Sequence, residues 1–402
     1  MKDGHRSARP VKSASRAAGV LLAAWIAVAG LTAAAEQGSV FRWDIPAWAA
    51  PPIVPTDNPM TVEKVTLGRY LFYDKRLSYN GKLSCASCHL QRFGFTELRP
   101  NAFGSTGQRH PRRTPTLTNA GYNTVLTWAN PAEHRLESQM LTPMFGEHPV
   151  ELGFAGHEQE LLARLRADER YRSLFAAAFP DASDPFTIAS VTKAIASFER
   201  TFISLSSPYD RYRYGGESDA IGPAAKRGEA LFFSPRLDCS HCHAGINFSD
   251  DFADARTKAV TVVFHNTGLY NIGGRYPAHN AGVYEVTGDP RDDGMFKAPT
   301  LRNVAVRAPY MHDGSVDDLN GVLDHYSAGG RTIVGTPLAG VGRLNPNKDA
   351  LIHGFDLSQQ ERRDLIAFLE TLTDKAFLTN PALSDPYAVT PAPGPSVTPA
   401  AR

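Results

Sequence analysis

All four cysteines of this chain fall in two copies of one five-residue pattern, Cys85-Ala86-Ser87-Cys88-His89 and Cys239-Ser240-His241-Cys242-His243. Cys-x-x-Cys-His is the attachment pattern of c-type haem. The thiols add to the porphyrin vinyl groups, and the adjoining imidazole becomes an axial ligand of the iron. A single Cys-x-x-Cys would equally suit a structural zinc site or a redox dithiol. Two copies, each followed directly by His and with no cysteine left over, point to two covalently bound c-type haems. Cys85, Cys88, Cys239 and Cys242 would carry them, with His89 and His243 as axial ligands.

A haem iron with protein ligands on both faces carries electrons, whereas one with an open face can transform a small molecule. The group opposite each histidine therefore decides the chemistry. For the second haem the candidates are Met295, Met311, His312, His325 and Tyr326. Ser315-Val316-Asp317-Asp318 predicts a helix start, and the helix would run to Gly329-Gly330. Within it Leu319, Val322, Leu323 and Tyr326 follow the i, i+3, i+4, i+7 stripe, so Tyr326 points inward. His325 lies about 100° around the helix. A tyrosine on such a stripe would also serve as ordinary core packing.

The elements that must position these groups are themselves duplicated. LGRYLFYDKRL (67–77) aligns with RGEALFFSPRL (227–237), matching Gly68 with Gly228, Leu71 with Leu231 and Phe72 with Phe232. In each copy a short helix leads into the cysteines, as in a cytochrome c domain. The predicted architecture is mostly α, with two cytochrome c-like haem domains and long Gly- and Pro-rich loops. The first spans 60–205 and the second 206–380, preceded by an N-terminal strap at 36–59. Ile188, Val191, Ile195, Phe198 and Phe202 share one helical face and predict a core helix. Ser358-Gln359-Gln360-Glu361 reads as a capping box, with Leu365, Phe368, Leu369 and Leu372 inward. Pro, Ala, Thr and Ser dominate 381–402, read as a disordered tail.

A basic stretch, the apolar run Gly19 to Leu31 and then Ala33-Ala34-Ala35 form the layout of a secretory signal over residues 1–35. Export to the periplasm, with no membrane span after cleavage, suits covalent haem attachment. The formal net charge of +1 gives no reason to expect a nucleic-acid partner.

KAPTLRNVAVRAPYMHDGSVDDLNGVLDHY (297–326), RTPTLTNA (113–120), LESQ (136–139), HPVELG (148–153) and SSPYDRY (206–212) resemble, in order, segments of the bacterial di-haem cytochrome c peroxidase and MauG superfamily. The resemblance implies that Tyr326 ligates the second haem, as in the MauG- and MbnH-like branch, where the peroxidases use Met. A phenolate is a hard anionic ligand that favours oxidised iron. It further implies an open first haem, with Glu151 as acid/base, Gln139 as its orienting partner and Trp128 between the haems. Ser105 stands near the place of a removable distal histidine, with His110 displaced beyond it.

Three departures stand out. The Asn that helps hold a calcium ion between the haems is here Arg113; the segment around Trp128 reads TWANP; and Leu237 stands where MauG has a Trp on its hole-transfer route. The resulting expectation is an exported oxidoreductase that reacts with hydrogen peroxide at the first haem. It would store two oxidising equivalents over both haems and oxidise a Trp of a partner protein. The alternatives are a cytochrome c peroxidase fed by a small electron-donor protein and a non-catalytic electron-transfer dihaem cytochrome.

Overall fold

The computed structural model describes Met1 and residues 41–388. The expected signal peptide, Met1 apart, and residues 389–402 of the expected tail lie outside the described residues. Seven described helices have nine or more residues: α1 Val62–Tyr73, α2 Glu158–Arg166, α3 Glu169–Ala178, α4 Ile188–Glu199, α5 Pro223–Phe232, α6 Leu319–Ser327 and α7 Gln359–Glu370. The one described sheet is a pair of two-residue antiparallel strands, β1 Thr332–Ile333 and β2 Gly340–Val341. The molecule is mostly helical, as the sequence predicts.

Two helix pairs repeat one arrangement. α1 starts at Thr61, whose hydroxyl accepts the Lys64 N–H at 3.2 Å, and it buries Leu67, Leu71 and Phe72 against α4. The contact is closest at Gly68, where a Cβ would stand 2.0 Å from the Ala194 carbonyl oxygen. α5 opens with Pro223, whose missing N–H costs nothing at a first helical position, and it packs on α7. A Cβ at Gly228 would stand 1.9 Å from the Asp364 carbonyl oxygen. Both contacts require the absence of a side chain. The capping box holds: Ser358 accepts the Glu361 N–H, and Glu361 reaches back to the Ser358 N–H at 2.8 Å.

Beneath each motif lies a matching aromatic group. Phe72 meets Phe198 at 5.6 Å and Phe95 at 6.0 Å; Phe232 meets Phe368 at 5.2 Å and Phe248 at 6.2 Å. The TLTN and TLRN segments match too. Asn119 and Asn303 both take φ 58°, a left-handed conformation that Asn tolerates better than most residues. Their N–H groups donate to Phe202 and Leu372 carbonyls at 2.8 and 2.9 Å, tying each loop to the end of α4 or α7.

Segments at both ends cross between these cores. In the strap, Trp48 stacks on Tyr214 at 4.2 Å, and Asn58 is fully buried, donating to Glu137 at 2.7 Å. At the other end, Phe377, Leu378 and Leu383 join the first core rather than the second. Residues 381–388, expected to be disordered, are therefore partly a packed strap. Arg69 binds the Pro381 and Ser384 carbonyls, and Tyr387 reaches the Tyr171 hydroxyl at 2.9 Å. Composition hid this, because one Leu and one Tyr anchor an otherwise polar, proline-rich stretch.

Candidate haem centres and their surroundings

In both motifs the histidine is held the same way. Cys85 begins and Cys88 caps the turn Cys85–Ser87, Cys239 and Cys242 bound the turn Cys239–Cys242, and each following histidine points its Nδ1 at a backbone carbonyl. His89 Nδ1 lies 2.9 Å from the Phe95 oxygen, and His243 Nδ1 lies 3.2 Å from the Phe248 oxygen. A carbonyl only accepts, so Nδ1 carries the proton and Nε2 keeps a lone pair for a metal. Phe95 and Phe248 both have positive φ, 57° and 49°, which turns those carbonyls toward the imidazoles. Burial pushes both histidines below their ordinary pKa, favouring the neutral, ligating form.

A largely apolar cavity opens over the second motif, walled by Cys239, Cys242, His243, Leu319, Val322, Leu323 and Tyr326. The predicted inward stripe of α6 is the wall of this cavity. His325 is not part of that wall. It is buried, its ring nitrogens have no hydrogen-bond partner, and burial pushes its pKa down to about 4. Burial and the nearby Cys242 push the Tyr326 phenol up, so the phenolate form needs a neighbouring cation. Met311 also lines the cavity and Met295 does not, although both pack against the apolar cluster of Phe296 and Tyr276. The His312 carbonyl accepts the Arg113 N–H at 2.8 Å. Its ring stacks on Phe296 at 3.6 Å, with Nε2 lacking a partner.

Trp128 lines the same cavity, together with Thr96, Arg113 and Thr114 from the first half of the chain. Its indole N–H donates to the Arg113 carbonyl at 2.7 Å. The TWANP departure thus leaves Trp128 at a wall built from both halves.

Around the first motif, burial raises the pKa of Cys85 and Cys88, and the nearby Glu151 adds to the rise in both. Its own carboxyl, 39% exposed at the side chain but crowded by protein on its remaining faces, is lifted by partial desolvation to about 7. Its loop docks on the turns carrying Gln139 through Leu152 N–H to Pro143 and Phe154 N–H to Met144, both 2.9 Å. Gln139 itself is half-buried at the end of Leu136–Gln139. Ser105 and Glu151 are linked by their backbones, the Ser105 N–H donating to the Glu151 carbonyl at 2.6 Å. His110, displaced in sequence, returns in space: its Nδ1 lies 3.7 Å from Glu151 Oε1.

Sequence reasoning missed several charged groups. Glu97, buried, accepts from Thr114 at 2.7 Å and from Arg99. His265 lies at the edge of the second cavity between Asp250 and Asp349, 2.7 Å from each; burial lowers its pKa, but Asp250, Cys242 and Asp349 outweigh that and raise it to about 11. With Cys242 and Asp250 it forms the one cluster of potential metal donors among the described residues. Cys242 is committed to the second motif, and both His265 ring nitrogens face carboxylates at 2.7 Å, so the group reads as a hydrogen-bonded charge cluster. No periodicity marks any of these loop residues.

Two buried guanidiniums, Arg113 and Arg307, also face the second cavity, and burial lowers them to about 10 and about 9. Arg113 donates to the Glu97 carbonyl and, at 3.4 Å, to the Ala308 carbonyl; Arg307 donates to the Thr300 carbonyl. These cations do not fit a divalent metal ion beside Arg113: they repel it and occupy the carbonyl oxygens it would need. They do fit the two carboxylates of a haem. The apolar walls, the oriented imidazoles and the paired thiols fit its ring, iron and vinyl groups.

Comparison with known proteins agrees. Residues 62–219 match the family model described as di-haem cytochrome c peroxidase. The chain is 36% identical to the methylamine utilization protein MauG of Methylorubrum extorquens over 82% of this chain and 84% of that one. It is 34% identical to the cytochrome-c peroxidase IdrP1 of Pseudomonas sp. strain SCT, covering 93% and 97% of the two chains. A crystal structure of a MauG-like protein associated with microbial copper homeostasis superposes with TM-score 0.84 at 50% identity, over 87% of this chain and all of that one. The chain belongs to the di-haem cytochrome c peroxidase and MauG family, as a peroxide-dependent oxidoreductase with two c-type haems.

Proposed function

We propose that this is an exported, periplasmic enzyme that takes two oxidising equivalents from hydrogen peroxide at its first haem, shares them across both, and oxidises a tryptophan of a partner protein. The observation that carries this reading is Tyr326, which lines one cavity with His243. When bound, c-type haem supplies an iron that reacts with peroxide and holds oxidising equivalents. The chain supplies the rest. Glu151, at a pKa of about 7, can accept a proton from incoming peroxide and return it to the departing oxygen. Gln139 would orient the same peroxide by hydrogen bonding. Tyr326 would close the far face of the second haem and favour its oxidised form. Trp128, on a wall built by both halves, would pass electrons between the sites.

A second reading is favoured by Met311, a thioether lining the same cavity as Tyr326. A thioether ligand favours reduced iron and would suit a peroxidase reducing hydrogen peroxide to water with electrons from a small redox protein. The test is to add peroxide to the haem-loaded enzyme with a co-exported candidate partner and weigh the partner's Trp-containing peptides by mass spectrometry. A mass gain on one tryptophan is expected. Unchanged partner mass, with rapid oxidation of a reduced small cytochrome, would give the case to the second reading.

A further inference from the structure

An oxidising equivalent that reaches Trp128 needs a way out. Leu237, two residues before the second motif, is a buried aliphatic side chain and cannot carry it. The structure offers another route. The Trp128 ring lies 6.5 Å from His312, and Tyr276 lies 6.4 Å from the same imidazole. Tyr270 then meets Tyr276 at 5.6 Å, edge to face.

These rings differ in what receives their proton. A phenol that loses an electron becomes strongly acidic, so its oxidation near neutral pH needs a base in hydrogen-bond contact. Trp128 donates to a backbone carbonyl, and Tyr276 donates to the Asn266 amide oxygen at 3.0 Å; neither acceptor takes up a proton. Tyr270 donates to the Asp313 carboxylate at 2.6 Å, the short distance of a charge-assisted bond. The other Asp313 oxygen is fixed by the Ser315 N–H at 3.0 Å, so the carboxylate is aimed. Tyr171 also bonds a carboxylate, Asp74 at 2.7 Å, but Arg76 already pairs with that carboxylate, and the site is in the first core, off this route.

We propose that Tyr270 is a redox relay that carries oxidising equivalents outward from Trp128 through Tyr276, with Asp313 as its proton acceptor. In the step, the Tyr270 phenol gives one electron inward, and its hydroxyl proton moves to Asp313. A neutral tyrosyl radical and a protonated carboxyl result. An aromatic donor outside then returns the electron, and Asp313 returns the proton. Tyr270 itself is buried, and its neighbour Asn271 donates to the Val341 carbonyl at 2.9 Å, so the β1–β2 hairpin, with Val334 exposed between its strands, is the surface segment next to it. The oxidant is the peroxide-derived equivalent of the proposed function, so the inference rests on that reading.

The test is electron paramagnetic resonance of the haem-loaded protein, grown with ring-deuterated tyrosine, after peroxide and without partner. A tyrosyl radical is expected in the wild type and lost in Tyr270→Phe, with the haem absorbance still responding to peroxide. Asp313→Asn, which keeps a hydrogen-bond acceptor but removes the base, should lose the same signal. A tyrosyl radical that persists in Tyr270→Phe, or no tyrosyl radical in the wild type despite a haem response, overturns the relay. If the wild-type haems ignore peroxide, the functional reading fails. Photochemical one-electron oxidation of the same holoprotein then decides the relay: a signal abolished by Tyr270→Phe supports it, and one retained overturns it.

Discussion

The two halves of the molecule share a scaffold and differ at the face that matters for chemistry. α1 on α4 and α5 on α7 meet at glycine contacts of 2.0 and 1.9 Å. Each histidine is oriented by a carbonyl of a left-handed Phe. In the cavity of the second histidine, α6 brings a phenol on an apolar wall. Around the first motif, two loops instead bring Glu151 and His110 together. Duplication of the helices gives both sites the same oriented histidine, and the unduplicated segments give one a titratable carboxyl and the other a tyrosine on its apolar wall.

The sharpest way to break this comparison is to remove the titratable group from the first site. Glu151→Gln keeps size and hydrogen bonding, and the reaction with peroxide should slow by about 10²–10⁴-fold, the usual worth of a general acid–base group. Partial desolvation raises the carboxyl from its ordinary range to about 7, and it must be ionised to take the first proton. The second-order rate constant of the wild type should therefore rise as pH increases through about 7, and that inflection should vanish in the variant. Stopped-flow absorbance across pH 5.5–8.5, in roughly half-unit steps around that pKa, measures both. A pH-independent wild-type rate would remove Glu151 from the chemistry.

A smaller effect tests the shared scaffold. Gly68→Ala and Gly228→Ala each push a methyl into a facing backbone carbonyl, and overpacking of this kind costs about 1–3 kcal/mol. Matched falls in Tm by calorimetry are expected. A neutral Gly228→Ala beside a damaging Gly68→Ala would show that the two helix pairs are not equivalent.

Much of this scaffold was legible in the sequence because it obeys short-range rules. The capping box at Ser358, the 3.6-residue stripe of α4 and the inward face of α6 depend on residues within one or two turns. The stripe also separated Tyr326 from His325 correctly in direction, one lining the cavity and the other buried away from it. What the sequence did not display lies in loops whose partners are distant along the chain. Asp313 meets Tyr270 across 43 residues, and His265 meets Asp349 across 84. His110 reaches Glu151 only because Gly104 lets its loop lie against Val150, where a Cβ would stand 1.7 Å from the carbonyl oxygen. Arg113 could be seen as a departure, but its partnership with Arg307 belongs to the folded chain alone.

We propose that the two haem sites are unlike and that Tyr326 makes them so. Low-temperature electron paramagnetic resonance of the oxidised holoprotein, compared with Tyr326→Phe, tests it most directly. The account predicts one high-spin and one low-spin haem in the wild type. In the variant the low-spin signal should be perturbed while covalent haem content is unchanged. A low-spin spectrum that survives Tyr326→Phe unaltered would contradict the account and return the second site to Met311.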